Sequence, residues 1–391
     1  MFNIETLKGV ELKNKRALVR VDFDVPLDKD GNIEDDFRIK ESLPTIKYLI
    51  GDDCRIILIS HLGRPGGKKI KKYSLKPVVK KLESFLDKEI AFLEKVSPKA
   101  EKMSLSMKPG SILMFENLRF DPREEKNSPE LAQELSKLGD FFVNEAFAVS
   151  HREHASIVGI PKYLPSIAGF CLNKEIEELN KILFNPKRPL IAIIGGAKIS
   201  TKIKVINKFL KLADRVLIGG ALANTIFAKQ GFSMADSIID KESFEDVKKI
   251  DLKNPKLFLP VDLGIWNKEG ARYADVGNLS KGEKALDIGL KTMDLFASLI
   301  KGAKTIVWNG PLGLTGQKPF DKGSLETVKA IGESRAYSVV GGGDTIAFIR
   351  EIKNENVFNH LSTGGGAMLD YLANETLPGI EALKRCKKFG E

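Results

Sequence analysis

Lys198 and Lys202 stand four residues apart behind a glycine pair in the stretch IAIIGGAKISTKI, residues 191–203. An apolar run, a glycine turn and two cations suit an anion with several charges. The spacing is not that of the common phosphate loop, which needs two glycines five positions apart and Lys-Ser or Lys-Thr directly after the second. Here Ala197 precedes the lysine and Ile199 follows it. If a helix starts at the turn, the i,i+4 spacing places both ammonium groups on one face. Free backbone N–H groups and the helix dipole would then add to the grip.

Other chemistry-bearing residues fall into two sets. In the first half each apolar run is followed by cations. Asp22, Phe23 and Asp24 close RALVRVDF and its next residue, with Arg38 at an expected helix start; HLGRP carries His61, Leu62, Gly63 and Arg64; ENLRF carries Arg119; EAFAVSHREH carries His151, Arg152 and His154. Arginine forks match carboxylate and phosphate oxygens in paired hydrogen bonds, so this set suits a small, heavily charged anion. In the second half the runs are followed by glycines: GGAK (195–198), GGALANT (219–225), NGPLG (309–313), GGGDT (341–345) and STGGGA (362–367). Glycines allow close backbone approach to phosphates. Asp344 among them reads either as a Mg²⁺ ligand or as a helix N-cap. GGGDTI lacks the G-x-G-x-x-G spacing of a dinucleotide fingerprint, which argues against a dehydrogenase.

These residues need elements to hold them. Candidate strands at 16–23, 55–60, 111–115, 140–144, 189–194, 214–218, 256–260, 304–308 and 336–340 alternate with amphipathic stretches such as 127–138, 174–183, 201–212 and 322–333. Near-continuous Ile/Val/Leu runs between helices signal parallel sheets covered on both faces, whose ligands sit beyond the strands' carboxyl ends. A chain of 391 residues exceeds one typical core, and a boundary is expected near 165–189. The three cysteines are far apart with no CxxC, which speaks against a disulfide framework and for a reducing cytoplasm. No run approaches the roughly 20 apolar residues of a membrane span. The formal charge of +10 favours anionic partners, but the lysines are scattered, and KKIKKYSLKPVVKK (68–81) reads as a solvated face.

Taken in order, RVDFDVP with Arg38, SHLGRP, ENLRF, HREH, GGAKISTK, VWNGPLG, GGGDT, STGGGA and the late LPG (377–379) resemble phosphoglycerate kinase over nearly the whole length. The resemblance implies an α/β fold of two Rossmann-like parallel-sheet domains facing each other across a cleft. A phosphoglycerate-binding domain would occupy 1–170 plus a C-terminal segment from about 376 to 391, an interdomain helix and link 171–188, and a nucleotide-binding domain 189–375. It implies reversible Mg²⁺-dependent phosphoryl transfer from 1,3-bisphosphoglycerate to ADP, giving 3-phosphoglycerate and ATP in glycolysis, with hinge closure. The expected enzyme is cytoplasmic and monomeric, with no nucleic-acid or membrane partner. By position, Asp22, Phe23, Asp24, Arg38, His61, Leu62, Gly63, Arg64, Arg119 and Arg152 would hold the glycerate. Lys202, Gly219, Gly220, Asn309, Pro311, Gly341, Gly342, Gly343, Asp344 and Thr345 would hold the nucleotide, with Asp344 on Mg²⁺. Arg38, Lys198, Lys202 and Gly365, flanked by Gly364 and Gly366, would meet the group in flight. In the ATP-consuming direction the acceptor is a carboxylate, already ionised, so no catalytic base is required.

Two positions depart from the family pattern, which has Asn at Asp24 and Phe-Glu at Thr315–Gly316, the Glu bonding the ribose. Asp24 should repel an acidic substrate unless a cation pairs with it. Competing readings are a phosphotransferase for another small acid, a basic polyanion-binding protein, and a descendant that has lost activity. The second would need its cations in a stripe rather than at strand ends.

Overall fold

The computed structural model describes residues 4–389. The chain forms two compact units: one holds the residues up to Glu177 together with those from Thr376 onward, the other Glu178–Glu375.

The first unit is built on β1 (Arg16–Arg20), β2 (Arg55–Ile59), β3 (Ile90–Leu93), β4 (Ile112–Phe115), β5 (Phe141–Asn144) and β6 (Ser166–Ala168). They pair in the order β3-β4-β2-β1-β5-β6, parallel throughout. Alternate side chains enter opposite layers. Val19, Ile56, Leu58 and Val143 join one buried cluster, and Leu18, Ile57, Ile59, Leu113 and Phe142 join the other. Both faces are therefore covered, and the carboxyl ends of the strands are where polar groups can gather. The segment after Thr376 supplies a late piece of this unit. In the helix Pro378–Arg385 the Gly379 N–H donates to Ser150 O at 2.9 Å, and the Phe389 ring meets Phe141 edge-on at 5.3 Å.

The second unit contains β7 (Leu190–Ile194), β8 (Arg215–Ile218), β9 (Leu257–Phe258), β10 (Asp262–Asn267), β11 (Gly270–Asp275), β12 (Lys284–Ile288), β13 (Thr305–Asn309), β14 (Tyr337–Gly341) and β15 (His360–Leu361). Six of them form a parallel sheet in the order β15-β14-β13-β7-β8-β9, and β11-β10-β12 form a separate antiparallel sheet. The antiparallel sheet lies outside the sequence reading. β11 is largely exposed and mixed in polarity, so it carries no continuous apolar run. The strand expected at 256–260 shrinks to two residues at the sheet edge, and Pro260 follows, unable to donate to a ladder.

Candidate functional site

The carboxyl ends of β1, β2, β4 and β5 bring most of the first set of cations together. Arg38 lies in the first turn of the helix Phe37–Gly51, where the dipole disfavours a cation. Its Nη1 is held instead by Asp22 Oδ2 at 3.1 Å and the Asp24 carbonyl at 2.8 Å. Among the described residues its Nε and Nη2 make no hydrogen bond. His61 is buried, and its Nδ1 accepts from Arg20 Nη2 at 3.2 Å, which leaves the ring proton on Nε2. Burial, with Arg20, Arg119 and Arg38 around it, holds the imidazole well below its usual pKa, so it is neutral. Burial likewise lowers His154, to about 3, with the charges of Arg119, Arg20 and Arg152 adding to the effect. Arg119 is fixed by its Nη1 bond to Gly63 O (2.8 Å), and Asn117 accepts the Arg119 N–H at 3.0 Å while donating to Leu62 O. Four guanidinium groups thus share one electrostatic neighbourhood with two neutral imidazoles. Arg64 is exposed on the loop after β2, with no side-chain partner among the described residues.

Asp24 has found partners. Its Oδ1 accepts the Gly63 N–H at 2.7 Å, and its Oδ2 lies 3.7 Å from His61 Nε2 and 3.9 Å from Arg38 Nη1. Asp22 is buried, and burial raises its pKa while Arg38 opposes the rise. The sequence reading overlooked Arg20, whose side chain is fully buried at the end of β1. Its Nε donates to Ser156 Oγ at 2.8 Å, and Ser156 in turn gives its Oγ–H and N–H to the buried Glu124 at 2.5 and 3.0 Å. The available signal was an arginine inside an apolar strand run, RALVRV, since a charge is buried only where it is paired.

The second unit gathers the glycine turns, with two corrections to the sequence expectations. The helix after the first turn begins at Ile203, with Lys202 at its N-cap, so Lys198 and Lys202 do not share a helical face. Lys198 is exposed and Lys202 is buried. Nor are the glycine N–H groups free: Gly195 donates to Asn309 O at 3.0 Å and Gly196 to Pro311 O at 2.8 Å. These glycines serve close approach instead. A Cβ at Gly195 would strike the carbonyls of Pro311 and Gly310, and one at Gly196 would lie 2.7 Å from Lys202 Nζ. Gly220 is similarly committed, its N–H donating to Leu312 O at 2.9 Å, while Gly219 N-caps the helix Gly220–Lys229. Lys202 Nζ donates to Gly195 O, and burial depresses its pKa to about 8, partly offset by the negative charge of Asp344.

Free donors come from two other helix starts. The helices Gly343–Glu351 and Gly365–Asn374 are N-capped by Gly342 and Gly364 without side-chain caps. Each leaves first-turn N–H groups without intrahelical acceptors. Gly342 adopts φ +104°, and a Cβ at Gly365 would lie 2.6 Å from Gly342 Cα, so the two turns touch backbone to backbone. Asn309 Nδ2 ties them further by donating to Gly365 O at 3.3 Å, and Thr345 Oγ1 accepts the Gly310 N–H at 3.1 Å. Asp344 is therefore not the N-cap; it stands exposed in the first turn, near Lys202 in charge terms. An exposed single carboxylate fits Mg²⁺ carried in by nucleotide phosphates, because this ion keeps most of its water and takes one or two protein carboxylates.

A family model described as phosphoglycerate kinase matches residues 7–375. The phosphoglycerate kinase of Chloroflexus aggregans is 44% identical over 397 residues, covering 98% of this chain and 99% of that protein. That of Moorella thermoacetica is 43% identical over 387 residues, covering 97% and 98%. Among solved structures, phosphoglycerate kinase from Coxiella burnetii superposes with a TM-score of 0.84 at 35% identity, covering 98% of this chain and 100% of that one. Phosphoglycerate kinase from Pyrococcus horikoshii OT3 gives 0.86 at 33% identity, covering 97% and 98%.

Proposed function

Because the chain belongs to the phosphoglycerate kinase family, we propose that it moves a phosphoryl group reversibly between the acyl phosphate of 1,3-bisphosphoglycerate and ADP. One observation carries the reading: a first unit whose strand ends hold clustered guanidinium groups, and a second whose paired helix starts present N–H donors beside a buried lysine. The first suits a small phosphorylated acid, and the second a chain of phosphates.

In this reading Arg38, His61, Arg119 and Arg152 bind the glycerate, with Arg64 joining from its loop and Phe23, Leu62 and Gly63 shaping the site. His61, being neutral, donates from Nε2. Lys202 and the first-turn N–H groups at Gly343 and Gly365 neutralise the equatorial oxygens of the group in transit, and Lys198 meets the nucleotide phosphates from solvent. Mg²⁺ at Asp344 would supply charge neutralisation on the nucleotide phosphates. Rate enhancement comes from in-line positioning and electrostatics rather than proton transfer. Hinge closure that excludes water belongs to the same proposal. The enzyme is proposed to act as a cytoplasmic monomer without nucleic-acid or membrane partners; no helix among the described residues is long and apolar enough to cross a membrane.

The direct test is ATP consumption with 3-phosphoglycerate and Mg²⁺, coupled to detection of ADP, set beside other small acids. Turnover of another acid in preference to 3-phosphoglycerate removes the substrate assignment.

Two narrower outcomes follow. Asp24 occupies cations that a substrate anion would otherwise use. Asp24→Asn is therefore expected to lower the KM for 3-phosphoglycerate about three-fold at low ionic strength, less as salt rises, since the carboxylate is partly exposed. A KM that rises shows instead that the carboxylate orients Arg38 usefully. Gly316 sits at φ +88° with open space where a Cβ would stand. Gly316→Glu is expected to lower the nucleotide KM about five-fold by adding a ribose contact, net of the backbone strain. An unchanged KM refutes the ribose deficit.

A further inference from the structure

Asp287 lies at the end of β12, 5% exposed, and lines a small cavity that Gly220 also borders. Its Oδ2 accepts the N–H of Gly323, in the first turn of the helix Lys322–Ser334, at 2.7 Å. Its Oδ1 accepts the N–H of Ile288 at 2.8 Å. Gly313 and Gly323 press so closely on this carboxyl group that a Cβ on either would collide with it. Those two glycines bracket the loop that joins β13 to the helix. The near end of that loop is stitched to the phosphate-side turns: Pro311 O takes the Gly196 N–H at 2.8 Å and Leu312 O the Gly220 N–H at 2.9 Å. Leu312 N–H donates to Ser324 Oγ at 3.0 Å, and Leu314 N–H to Leu286 O at 2.9 Å. The loop thus closes at both ends on one buried carboxyl group.

Stability alone gives no reason for an acid there. Burial pushes its pKa up to about 7 despite two N–H bonds, with the nearby charges of Asp321 and Lys322 acting in opposite directions. A buried acid costs folding energy unless its hydrogen bonds are made, and here one of those bonds holds the far end of the loop through Gly323.

We propose that Asp287 is a positioning residue for the nucleotide, fixing the 311–323 loop and, through it, Pro311 and Gly220. The inference rests on the kinase reading above.

Asp287→Asn keeps the shape, but its amide nitrogen must face one of the two N–H donors. The expected result is a nucleotide KM raised about ten-fold, with the KM for 3-phosphoglycerate within about two-fold and kcat within about three-fold. Nucleotide KM should also rise in the unsubstituted protein as pH falls through about 7, and lose that dependence in Asp287→Asn. Calorimetric titration with ADP alone should show the same ten-fold loss of affinity, on the scale of a broken buried hydrogen bond. Should Asp287→Asn fail to fold, Gly323→Ala crowds the carboxyl group without removing it and is expected to give the same selective loss. Equal ADP affinity in variant and parent overturns the proposal. So does a joint rise in both KM values with a lowered melting temperature, which marks a general structural role. Absence of turnover in the parent protein counts against the kinase reading, and the ADP titration still decides the role of Asp287.

Discussion

Replacing Arg38 by alanine is expected to reduce kcat about a thousand-fold, as for other arginines that meet a phosphoryl group in its transition state, while the melting temperature falls only modestly as buried Asp22 loses its cation. The structural ground is the way the side chain is held. A cation in the first turn of a helix gains nothing from the dipole, so helix stability does not explain its presence. Asp22 and the Asp24 carbonyl engage only Nη1, which aims the guanidinium while keeping its other N–H groups available. Charge that develops on a transferring phosphoryl group would meet donors already oriented, without reorganisation cost. Arg38→Lys should recover little, because a point charge does not reproduce the fork. The measurement is steady-state kinetics in both directions beside thermal melting. A kcat within about ten-fold of the parent removes Arg38 from the transition state and leaves it a binding role at most.

Lys202→Ala is the second large effect. A loss of about 10²–10³ in kcat is expected, the scale seen when one preorganised donor to a transition-state oxyanion is deleted. The buried ammonium is a stability liability, so removing it should not lower the melting temperature. Its pH behaviour separates the two roles. The folded pKa of about 8 lies below the ordinary 10.5, which means the unfolded chain binds the proton more tightly. Between those values stability should rise with pH, because only the unfolded chain still carries the charge. Nucleotide kcat/KM should fall over the same interval as the charged form disappears. Opposite trends in the two measurements are the signature; parallel trends would mean that the lysine contributes to folding and not to turnover.

Much of the site was legible because strand ends announce themselves. An apolar run followed by HLGRP or ENLRF fixes where His61 and Arg119 must stand, whatever the details of the loop. What escaped notice depends on partners distant in sequence. Arg20 reads as one polar residue in a strand until Ser156 and Glu124, more than a hundred positions later, are folded against it. The N–H groups at Gly195 and Gly196 looked free because their acceptors, Asn309 and Pro311, also belong to a remote loop. Lys198 and Lys202 looked like a helical pair because the spacing is right; the helix starts too late, at Ile203. The antiparallel β11-β10-β12 sheet was invisible for a different reason, since its outer strand faces solvent and lacks the apolar run that periodicity detects. Asp24, a departure on paper, is reconciled by the Gly63 N–H and by its nearness to His61 and Arg38, none of which spacing reveals.

The return of the chain to the first unit after Thr376 has a consequence for how the protein is made. A growing polypeptide leaves the ribosome amino end first, so the stretch from Glu178 to Glu375, continuous in sequence, is the first unit whose parts are all outside the tunnel. The earlier-translated lobe must wait with Ser150 and Phe141 uncovered until Gly379 and Phe389 emerge. Translation order and order of completion are inverted, and a transcript truncated near codon 375 would yield one finished half and one unfinished half.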